Sequence, residues 1–236
     1  MRSVAIETSG RKGSAALGLG PELVAEAGFP TDVEHARELI PAIDALCRRL
    51  GWPPETLDRC YLSIGPGSFT GLRVAVTFAR HLELAVGVRI CAVPTLDVIA
   101  CNCADLDTPP ANLAVVLDAK RRQVFAGVFE YGAGRYRRVD GPHLIEPARL
   151  IEGSPNPLAV CGEGIKYHRE AIDRTHAQTL EESLWWPRAA NVHQLGWELA
   201  EEGRFTSARD LTPLYVRRPE VEEVWEKRHG RSEPRP

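Results

Sequence analysis

The residues of this 236-residue chain that are best suited to chemistry lie in one glycine-rich turn, Ser63-Ile-Gly-Pro-Gly-Ser-Phe-Thr-Gly-Leu-Arg73. The turn follows a short apolar run and precedes a long apolar segment, which is the pattern of a strand, a tight turn and a helix. Backbone N–H groups at such a helix N-terminus often hold phosphate. Ser68 or Thr70 is the candidate N-cap of the helix. The turn therefore predicts either a phosphate site or a tight strand-to-helix connection.

The spacing within this turn does not match three stronger motifs. A P-loop requires Lys-Ser or Lys-Thr after its last glycine, whereas Gly71 is followed by Leu72 and Arg73. A nucleophile elbow requires one residue between its first glycine and the serine, whereas Gly67 directly precedes Ser68. Three residues separate Gly67 from Gly71, so the dinucleotide fingerprint is not met either. The spacing favours the tight connection, with Ser68 as a cap.

Neither the histidines nor the cysteines form a metal-binding pattern. No two of the seven histidines are three, four or five residues apart, so no helix face presents a ready pair of ligands. Of the six cysteines, Cys101 and Cys103 are separated by one residue only, and no second pair completes a zinc site. We predict free thiols in a reducing cytosol and no metal site.

The composition is that of an ordinary globular protein, with 44% hydrophobic and 26% charged residues. The net charge of −3 gives no overall attraction to nucleic acid, so another subunit is expected to supply most phosphate contacts if RNA is involved. The N-terminus turns polar too soon for a signal peptide, and no uncharged apolar run reaches membrane-spanning length. These features predict a cytoplasmic protein without a membrane segment.

The order of apolar runs and turns predicts two related halves. A strand, an acidic Thr-Ser turn and two further strands lead to a helix over residues 33–50 and then to the glycine turn. Pro109 and Pro110 form the strongest boundary signal. A strand, an acidic residue, a turn and a strand then recur from residue 113, which is a weak internal repeat. The predicted domains are 1–105 and 111–218, with a charged tail over 219–236.

The two long helices of the first half present wide apolar faces. His35, Leu39, Ile43 and Leu46 recur at helical spacing in the first helix, and the helix after the glycine turn is apolar on most sides. Such a helix needs cover on two sides. One side can be its own sheet, and the other can be a neighbouring helix or a partner chain. His35 is either a half-buried neutral histidine or an interface residue.

Six segments, in order along nearly the whole chain, resemble the TsaB family of bacterial partner proteins for threonylcarbamoyladenosine synthesis in tRNA. The segments are Ala5-Ile-Glu-Thr-Ser9, His35-Ala-Arg-Glu-Leu-Ile-Pro-Ala-Ile43, Gly65-Pro-Gly-Ser-Phe-Thr-Gly-Leu-Arg73, Pro94-Thr-Leu96, Leu117-Asp-Ala-Lys-Arg121 with Val124-Phe125, and Leu211-Thr-Pro-Leu-Tyr-Val-Arg217. The resemblance implies the actin-like ATPase (ribonuclease H-like) fold, an α/β fold of two related domains around a cleft.

The resemblance also implies a function without independent catalysis. Proteins of this family bind a TsaD-type catalytic subunit, which transfers the threonylcarbamoyl group to the adenosine next to the anticodon, and a TsaE-type ATPase subunit then joins the pair. In isolation they form homodimers, and they meet tRNA only within the complex. Helices of the first domain form the docking surface, which predicts the partner-binding residues His35, Leu39, Ile43, Leu46, Leu72, Arg73 and Val76.

In kinases of the same superfamily, the positions of Glu7, Thr8, Ser9 and Asp118 hold phosphate and magnesium. Many TsaB proteins have aspartate where this chain has Glu7, and no lysine precedes Lys12 in the first turn. We therefore predict a vestigial nucleotide site, no cofactor of its own, and ATP and magnesium only through the assembled complex. The alternative is an enzyme: a stand-alone ATPase or small-molecule kinase of this superfamily, or a metallopeptidase-like enzyme.

Overall fold

The structure, a computed structural model, describes residues 1–29 and 35–216 and places their strands in two five-stranded sheets. The strands of the first sheet are β1 (Arg2–Glu7), β2 (Ser14–Leu19), β3 (Glu22–Gly28), β4 (Arg59–Ser63) and β5 (Arg89–Val93). Those of the second are β6 (Asn112–Asp118), β7 (Val124–Gly132), β8 (Arg135–Ile145), β9 (Ala159–Cys161) and β10 (Gln178–Thr179).

Six α-helices connect and cover these strands in the described part of the chain. They are α1 (His35–Leu50), α2 (Phe69–Val86), α3 (Thr95–Cys101), α4 (Pro147–Glu152), α5 (Gly164–Asp173) and α6 (Ala189–Glu201). Residues 33 and 34 of the predicted first helix lie outside the described residues, and the rest of that helix ends at Leu50 as expected.

The two sheets have the same topology. Their strand orders are β3-β2-β1-β4-β5 and β8-β7-β6-β9-β10. In each, the central strand pairs antiparallel with the hairpin strand that follows it and parallel with the strand that arrives after a helix. The internal repeat predicted from the strand-acid-turn-strand pattern is thus confirmed as two sheets of the same topology.

The pleat of the first sheet separates two cores, because side chains alternate between the faces of a strand. Val4, Ile6, Cys60 and Leu62 pack with the buried sides of α1 and α2. Ala5 and its neighbours on the opposite face pack with α6. The first sheet is therefore the middle layer of an α/β/α sandwich.

The helix that covers the second face of the first sheet comes from the C-terminal part of the chain. The α6 helix contacts β1, β2, β4 and β5. After it, Thr206 N–H donates to the Ile90 carbonyl over 2.9 Å, and Leu214 N–H donates to the Ile64 carbonyl over 2.7 Å. The domain limits 1–105 and 111–218 stay a prediction, but the segment 189–216 belongs to the core of the first sheet. The tail 219–236 lies outside the described residues.

The second sheet has its own core, and α3 links it to the first. Leu96 and Ile99 of α3 pack into this core together with buried residues of α4 and α5. On the other side of α3, the Asn191 amide of α6 donates to the Val98 carbonyl over 3.0 Å and to the Asn102 side-chain oxygen over 2.7 Å. Paired amides of this kind hold α3 against α6.

Two further expectations concern cysteines and membranes. All six cysteines are free thiols, and five of them are buried. Among the helices that the structure describes, none combines the length and the apolar character that crossing a bilayer requires.

Candidate functional site

The glycine turn forms a tight connection from β4 to α2, built against the residues that follow β1. The Ser68 hydroxyl caps α2 by accepting from Gly71 N–H over 3.2 Å, as the sequence predicts. Thr8 Oγ1 donates to the Gly71 carbonyl over 2.8 Å, and Ser68 N–H donates to the Ser9 carbonyl over 2.6 Å. A Cβ on Gly71 would overlap the Thr8 carbonyl oxygen. Glycine is required here because two backbone segments touch.

A second glycine turn repeats this arrangement between β9 and α5. Gly162 has a φ of +113°, in the region that favours glycine, and a Cβ there would overlap the carbonyl oxygen of Val116 in β6. The turn brings the start of α5 to the end of the central strand, as the first turn does for α2.

Glu7 ends β1 as a fully buried carboxylate that its own chain saturates. Glu7 Oε1 accepts from the Ser9 N–H and the Ser9 hydroxyl, each over 2.5 Å. The Ser63 hydroxyl donates to Oε2. Burial raises the pKa of Glu7, and the hydrogen bonds from Ser63 and Ser9 oppose that rise without cancelling it. Glu7 therefore joins the ends of β1 and β4 from inside the protein.

Asp118 ends β6 at the position equivalent to Glu7 and also has partners from its own chain. Lys120 Nζ lies 2.7 Å from Asp118 Oδ2, while Lys120 N–H and His168 Nε2 donate to Oδ1 over 3.1 and 3.2 Å. Burial acts to raise the pKa of Asp118, but the hydrogen bonds from Lys120 and His168 outweigh it and lower the pKa. Asp118 therefore stays ionised below its ordinary range.

A cleft of about 310 Å³ lies between the ends of the two central strands. Its lining includes Ser9, Gly67 and Ser68 from the first half, and Asp118 and Glu163 from the second. Of the four predicted vestigial residues, the structure thus brings Ser9 and Asp118 to the cleft. Glu7 and Thr8 are not among its lining residues, since both are fully buried beneath the turn.

The cleft contains charged and aromatic residues that the sequence did not single out for it. Glu163 Oε1 accepts from Asp118 N–H over 3.2 Å, and burial raises the pKa of Glu163. The Lys120 ammonium lies 5.1 Å from the centre of the Tyr167 ring, which is within cation–π range. Glu163 directly precedes α5 as Ser68 directly precedes α2, so aligning the two halves of the repeat would have found it.

Residues 1–29 and 35–216 contain no group of three His, Cys, Asp or Glu side chains that could hold a metal ion. The ionised Asp118 carboxylate carries one negative charge, and the Lys120 ammonium beside it carries one positive charge. The cleft can therefore accommodate a small polar group, but its best-placed acid is already neutralised by a neighbour.

Most of the predicted partner-binding side chains belong to the core of the monomer. Six of the seven are buried: His35, Leu39, Ile43, Leu46, Leu72 and Val76. The aliphatic residues of this set on α1 pack against Ile6 and Leu17 of the first sheet, and the His35 Nε2–H donates to the Gly10 carbonyl over 2.9 Å. The partner-binding assignment stays a prediction, and the burial of these six side chains in the isolated chain leaves them almost no surface to offer a partner. Arg73 is exposed.

The outward sides of α1 and α2 carry apolar residues that the sequence analysis did not choose. Ile40 is 62% exposed and Leu84 is 80% exposed. At the start of α2, Phe69 is also exposed, and the Arg73 guanidinium lies 3.9 Å from the centre of its ring. Tyr215 packs on the same ring with centroids 5.5 Å apart. Exposed aromatic residues paired with an arginine, and exposed aliphatic residues, are both typical of protein interfaces.

Comparison with known proteins finds relatives of this chain among the proteins of threonylcarbamoyladenosine synthesis in tRNA. The family described as TsaD, tRNA N6-adenosine threonylcarbamoyltransferase, matches residues 21–191. A tRNA threonylcarbamoyladenosine biosynthesis protein TsaB of Bacillus subtilis is 27% identical over 231 residues, which covers 95% of this chain and 98% of that protein.

Solved structures show the same fold. YeaZ from Pseudomonas aeruginosa superposes with a TM-score of 0.77 at 23% identity, over 91% of this chain and 100% of that chain. A ROK hexokinase from Thermus thermophilus superposes with a TM-score of 0.51 at 14% identity, over 86% of this chain and 100% of that one. The predicted actin-like α/β fold of two related halves, shared with sugar kinases, is confirmed.

Proposed function

This chain belongs to the TsaD family of tRNA N6-adenosine threonylcarbamoyltransferase proteins, as a TsaB member, and we propose that it is a non-catalytic subunit in tRNA threonylcarbamoyladenosine biosynthesis. It holds or activates a TsaD-type catalytic subunit, which transfers the threonylcarbamoyl group to the adenosine next to the anticodon. The match over nearly the full length of both chains supports the biosynthetic part of this proposal.

The state of the two strand-end carboxylates is the observation that carries the non-catalytic part. Magnesium binds through ionised oxygens that are free to enter its coordination shell. Glu7 is fully buried and accepts three hydrogen bonds from Ser9 and Ser63. Asp118 is neutralised by Lys120 and bonded to His168. A nucleotide-bound metal would have to displace these partners, which favours a structural role for both carboxylates.

The outward side of the α1–α2 pair is the surface we assign to docking. Ile40, Phe69 and Leu84 expose apolar area there, and Arg73 lies against Phe69. The groove between α1 and β3 is lined by Arg37, Pro41 and neighbouring residues, and Ile40 is not among them. Apolar residues with an arginine at the rim suit a protein partner.

The remaining partners follow from the same proposal. The isolated chain forms a homodimer through the α1–α2 surface, and a TsaE-type ATPase subunit joins the pair of this chain and the catalytic subunit. The chain acts in the cytoplasm, meets tRNA only within that complex, and has no cofactor of its own. ATP and magnesium enter with the other subunits.

The test uses two surface variants, Ile40→Asp and Leu84→Asp, in the full-length chain. Each is expected to reduce co-purification with the TsaD-type subunit at least tenfold, because a charge would replace an apolar contact of the interface (roughly 1.4 kcal/mol or more). The threonylcarbamoyladenosine content of tRNA, measured in cells that depend on this chain, is expected to fall in parallel.

The matched control is Val139→Asp on β8, which places the same charge at an exposed apolar residue of the other half, 39% exposed. Normal co-purification and normal tRNA modification are expected for it. Unchanged co-purification of both α1–α2 variants would contradict the docking surface. Turnover of ATP by the purified chain alone, lost in Asp118→Asn, would contradict the non-catalytic role.

A further inference from the structure

Five exposed basic side chains surround the mouth of the cleft between the two halves. Arg11 and Lys120 belong to the cleft lining, and Lys12 lies against the lining residue Trp186. Exposed arginines also occupy the two positions after Lys120. These basic residues follow β1 in the first half and β6 in the second, so both halves contribute to one mouth. We call Arg11, Lys12 and residues 120–122 the basic rim.

The hairpin tip that carries residues 120–122 is closed by its own backbone. Lys120, Arg121 and Arg122 have φ angles of 60°, 52° and 62°, in the left-handed region that non-glycine residues rarely adopt. Gln123 N–H donates to the Lys120 carbonyl and Ala119 N–H donates to the Gln123 carbonyl, each over 3.0 Å. Residues in such sparsely populated conformations cluster at binding sites and switches. The tip therefore presents its basic side chains from a closed turn.

Two cations of the basic rim lie over aromatic rings at the same cleft. Lys120 Nζ is 5.1 Å from the centre of the Tyr167 ring, and Lys12 Nζ is 5.3 Å from the centre of the Trp186 ring. Both distances are within cation–π range. Tyr167 is 44% exposed, and together with Arg122 it also lines a neighbouring groove of about 320 Å³. The cleft and the groove thus form one surface of cations and rings.

Acidic side chains cancel only part of this positive charge. The described lining of the cleft holds two carboxylates, Asp118 and Glu163, and Lys120 lies 2.7 Å from the first of them. Five cations against two carboxylates leave an excess of three positive charges at the mouth. Glu146 and Glu170 of the neighbouring groove are each paired with an arginine three or four residues away. The mouth is therefore positive although the whole chain has a net charge of −3.

We propose that the basic rim, with the rings of Tyr167 and Trp186, binds an unpaired segment of tRNA. Phosphates lie on the rim cations, and a base lies against an exposed ring. This inference rests on the proposed function, which brings tRNA to the complex of this chain with the TsaD-type subunit. It adds a direct contact between this chain and the RNA.

The combination of cations and rings is suited to unpaired nucleic acid. Sites for single strands combine a positively charged groove with aromatic side chains on which bases stack. A nucleotide carries its phosphate and its base side by side, as Lys120 and Tyr167 place a cation beside a ring. Bases within a helix are already stacked on one another, so such a site takes loops and ends. At about 310 Å³ the cleft is also at the lower limit for small-ligand sites, which suits one nucleotide.

An acidic protein segment is the other polyanion that a basic surface can bind, and the observations favour RNA. The core of a protein interface is apolar. Among the described residues that line this cleft, Tyr167 is the only large apolar side chain that is exposed. The net charge of −3 does not prevent contact with RNA, because at physiological ionic strength exposed charges act over only about 8 Å. The local positive excess therefore decides what binds.

Binding of tRNA to the complex of the full-length chain with the TsaD-type subunit tests the proposal. The probe is a tRNA transcript with an unmodified adenosine next to the anticodon, measured between about 50 and 200 mM salt. Arg121→Gln/Arg122→Gln should reduce the slope of log affinity against log salt by roughly 1.4, since each phosphate contact of a single strand contributes about 0.7. The affinity at 200 mM salt should fall about tenfold.

The aromatic contact is tested by a second pair of variants. Tyr167→Ala should lower the affinity about five- to hundredfold, which is the effect of removing one stacked base. It should leave the salt slope unchanged, because no charge is lost. Tyr167→Phe keeps the ring and should bind tRNA like the native chain. Slope and affinity together therefore separate the phosphate contacts from the base contact.

The matched control is Arg135→Gln/Arg137→Gln, which removes two exposed arginines from β8 at the edge of the second sheet. Native affinity and native slope are expected for it. Each variant should also co-purify normally with the TsaD-type subunit, which separates the basic rim from the proposed docking surface. If the native chain does not pair with that subunit, the proposed function fails. The same variants of the isolated chain, with an anticodon stem–loop RNA as the probe, then decide on the rim alone.

Four outcomes would overturn the proposal. The first is native affinity and slope in both the arginine variant and Tyr167→Ala. The second is an equal loss in the β8 control, which would reflect overall charge only. The third is a loss in the arginine variant with native affinity in Tyr167→Ala, which would contradict the stacked base. The fourth is unchanged tRNA affinity with lost co-purification of the TsaE-type subunit, which would assign the rim to an acidic protein surface.

Discussion

Glu7 and Asp118 end the central strands of the two sheets at equivalent positions, yet their surroundings move their pKa values in opposite directions. Burial has the largest effect on the pKa of Glu7, because only neutral hydroxyl and amide groups donate hydrogen bonds to it. At Asp118 the Lys120 ammonium and the His168 ring lower the pKa by more than burial raises it. One duplicated backbone position thus supports two different electrostatic environments, and each makes its own prediction for the pH dependence of folding.

Glu7 should make the protein less stable as the pH rises. The folded-state pKa lies above the ordinary value of 4.5, so the folded chain holds the proton more tightly than the unfolded chain. This contribution to the free energy of unfolding is fully present below pH 4.5 and is lost as the pH rises through the folded-state pKa. Glu7→Gln keeps a neutral side chain at every pH. Urea unfolding from pH 4 to pH 8 should show the variant gaining stability relative to the native chain.

The control for this experiment is Glu55→Gln, at an exposed glutamate whose removal should leave the pH profile of the native chain unchanged. A stability difference between Glu7→Gln and the native chain that stays constant with pH would contradict the buried environment described for Glu7.

Asp118 should have the opposite effect. Its folded-state pKa lies below the ordinary value of 3.8, so its contribution to stability is present above pH 3.8 and is lost as the pH falls through the folded-state pKa. Asp118→Asn should lower the free energy of unfolding at pH 7 by about 0.5–1 kcal/mol, because the Lys120 partner is largely exposed and screened. The two proteins should become equally stable in acid. Equal stability at pH 7 would show that Lys120 contributes nothing.

Leu39 and Ile40 are adjacent in α1 and should respond oppositely to the same substitution. Leu39 is 1% exposed and Ile40 is 62% exposed. Leu39→Asp buries an unpaired charge and should cost more than about 4 kcal/mol, enough to unfold the chain. Ile40→Asp should change the free energy of unfolding by no more than about 0.5 kcal/mol while it weakens docking. Circular dichroism melts of both variants measure this difference in stability. A folded Leu39→Asp protein that fails to dock would instead support Leu39 as a partner-binding residue.

Gly71 should tolerate no side chain, because a Cβ would overlap the Thr8 carbonyl oxygen. Gly71→Ala must push α2 away from the end of β1, which should cost about 1–3 kcal/mol or more. Gly132→Ala is the matched control, since nothing lies within 4 Å of a Cβ built at that glycine. Chemical denaturation of the two variants measures the difference. Equal midpoints would mean that the turn adjusts freely.

The sequence determined the fold class because it depends on local patterns that survive along a single chain. Apolar runs of strand length, the glycine turn and the restart after Pro110 predicted a weak internal repeat, and the resemblance of six segments to the TsaB family implied two related α/β halves. The Ser68 cap could also be predicted, since it needs only a hydroxyl before a helix and a free N–H three residues later. The free thiols follow from cysteine spacing.

Only the tertiary structure decided which apolar face is covered and which carboxylate is neutralised. A helical pattern shows that Leu39 and Val76 share a face with other apolar residues, but not that a sheet rather than a partner buries them. Likewise, Lys120 is two residues from Asp118 in the sequence, whereas His168 is fifty residues away. Glu163 contacts Asp118 only because β6 and β9 are paired side by side. Burial and charge pairing depend on contacts between distant segments, and local sequence does not encode those contacts.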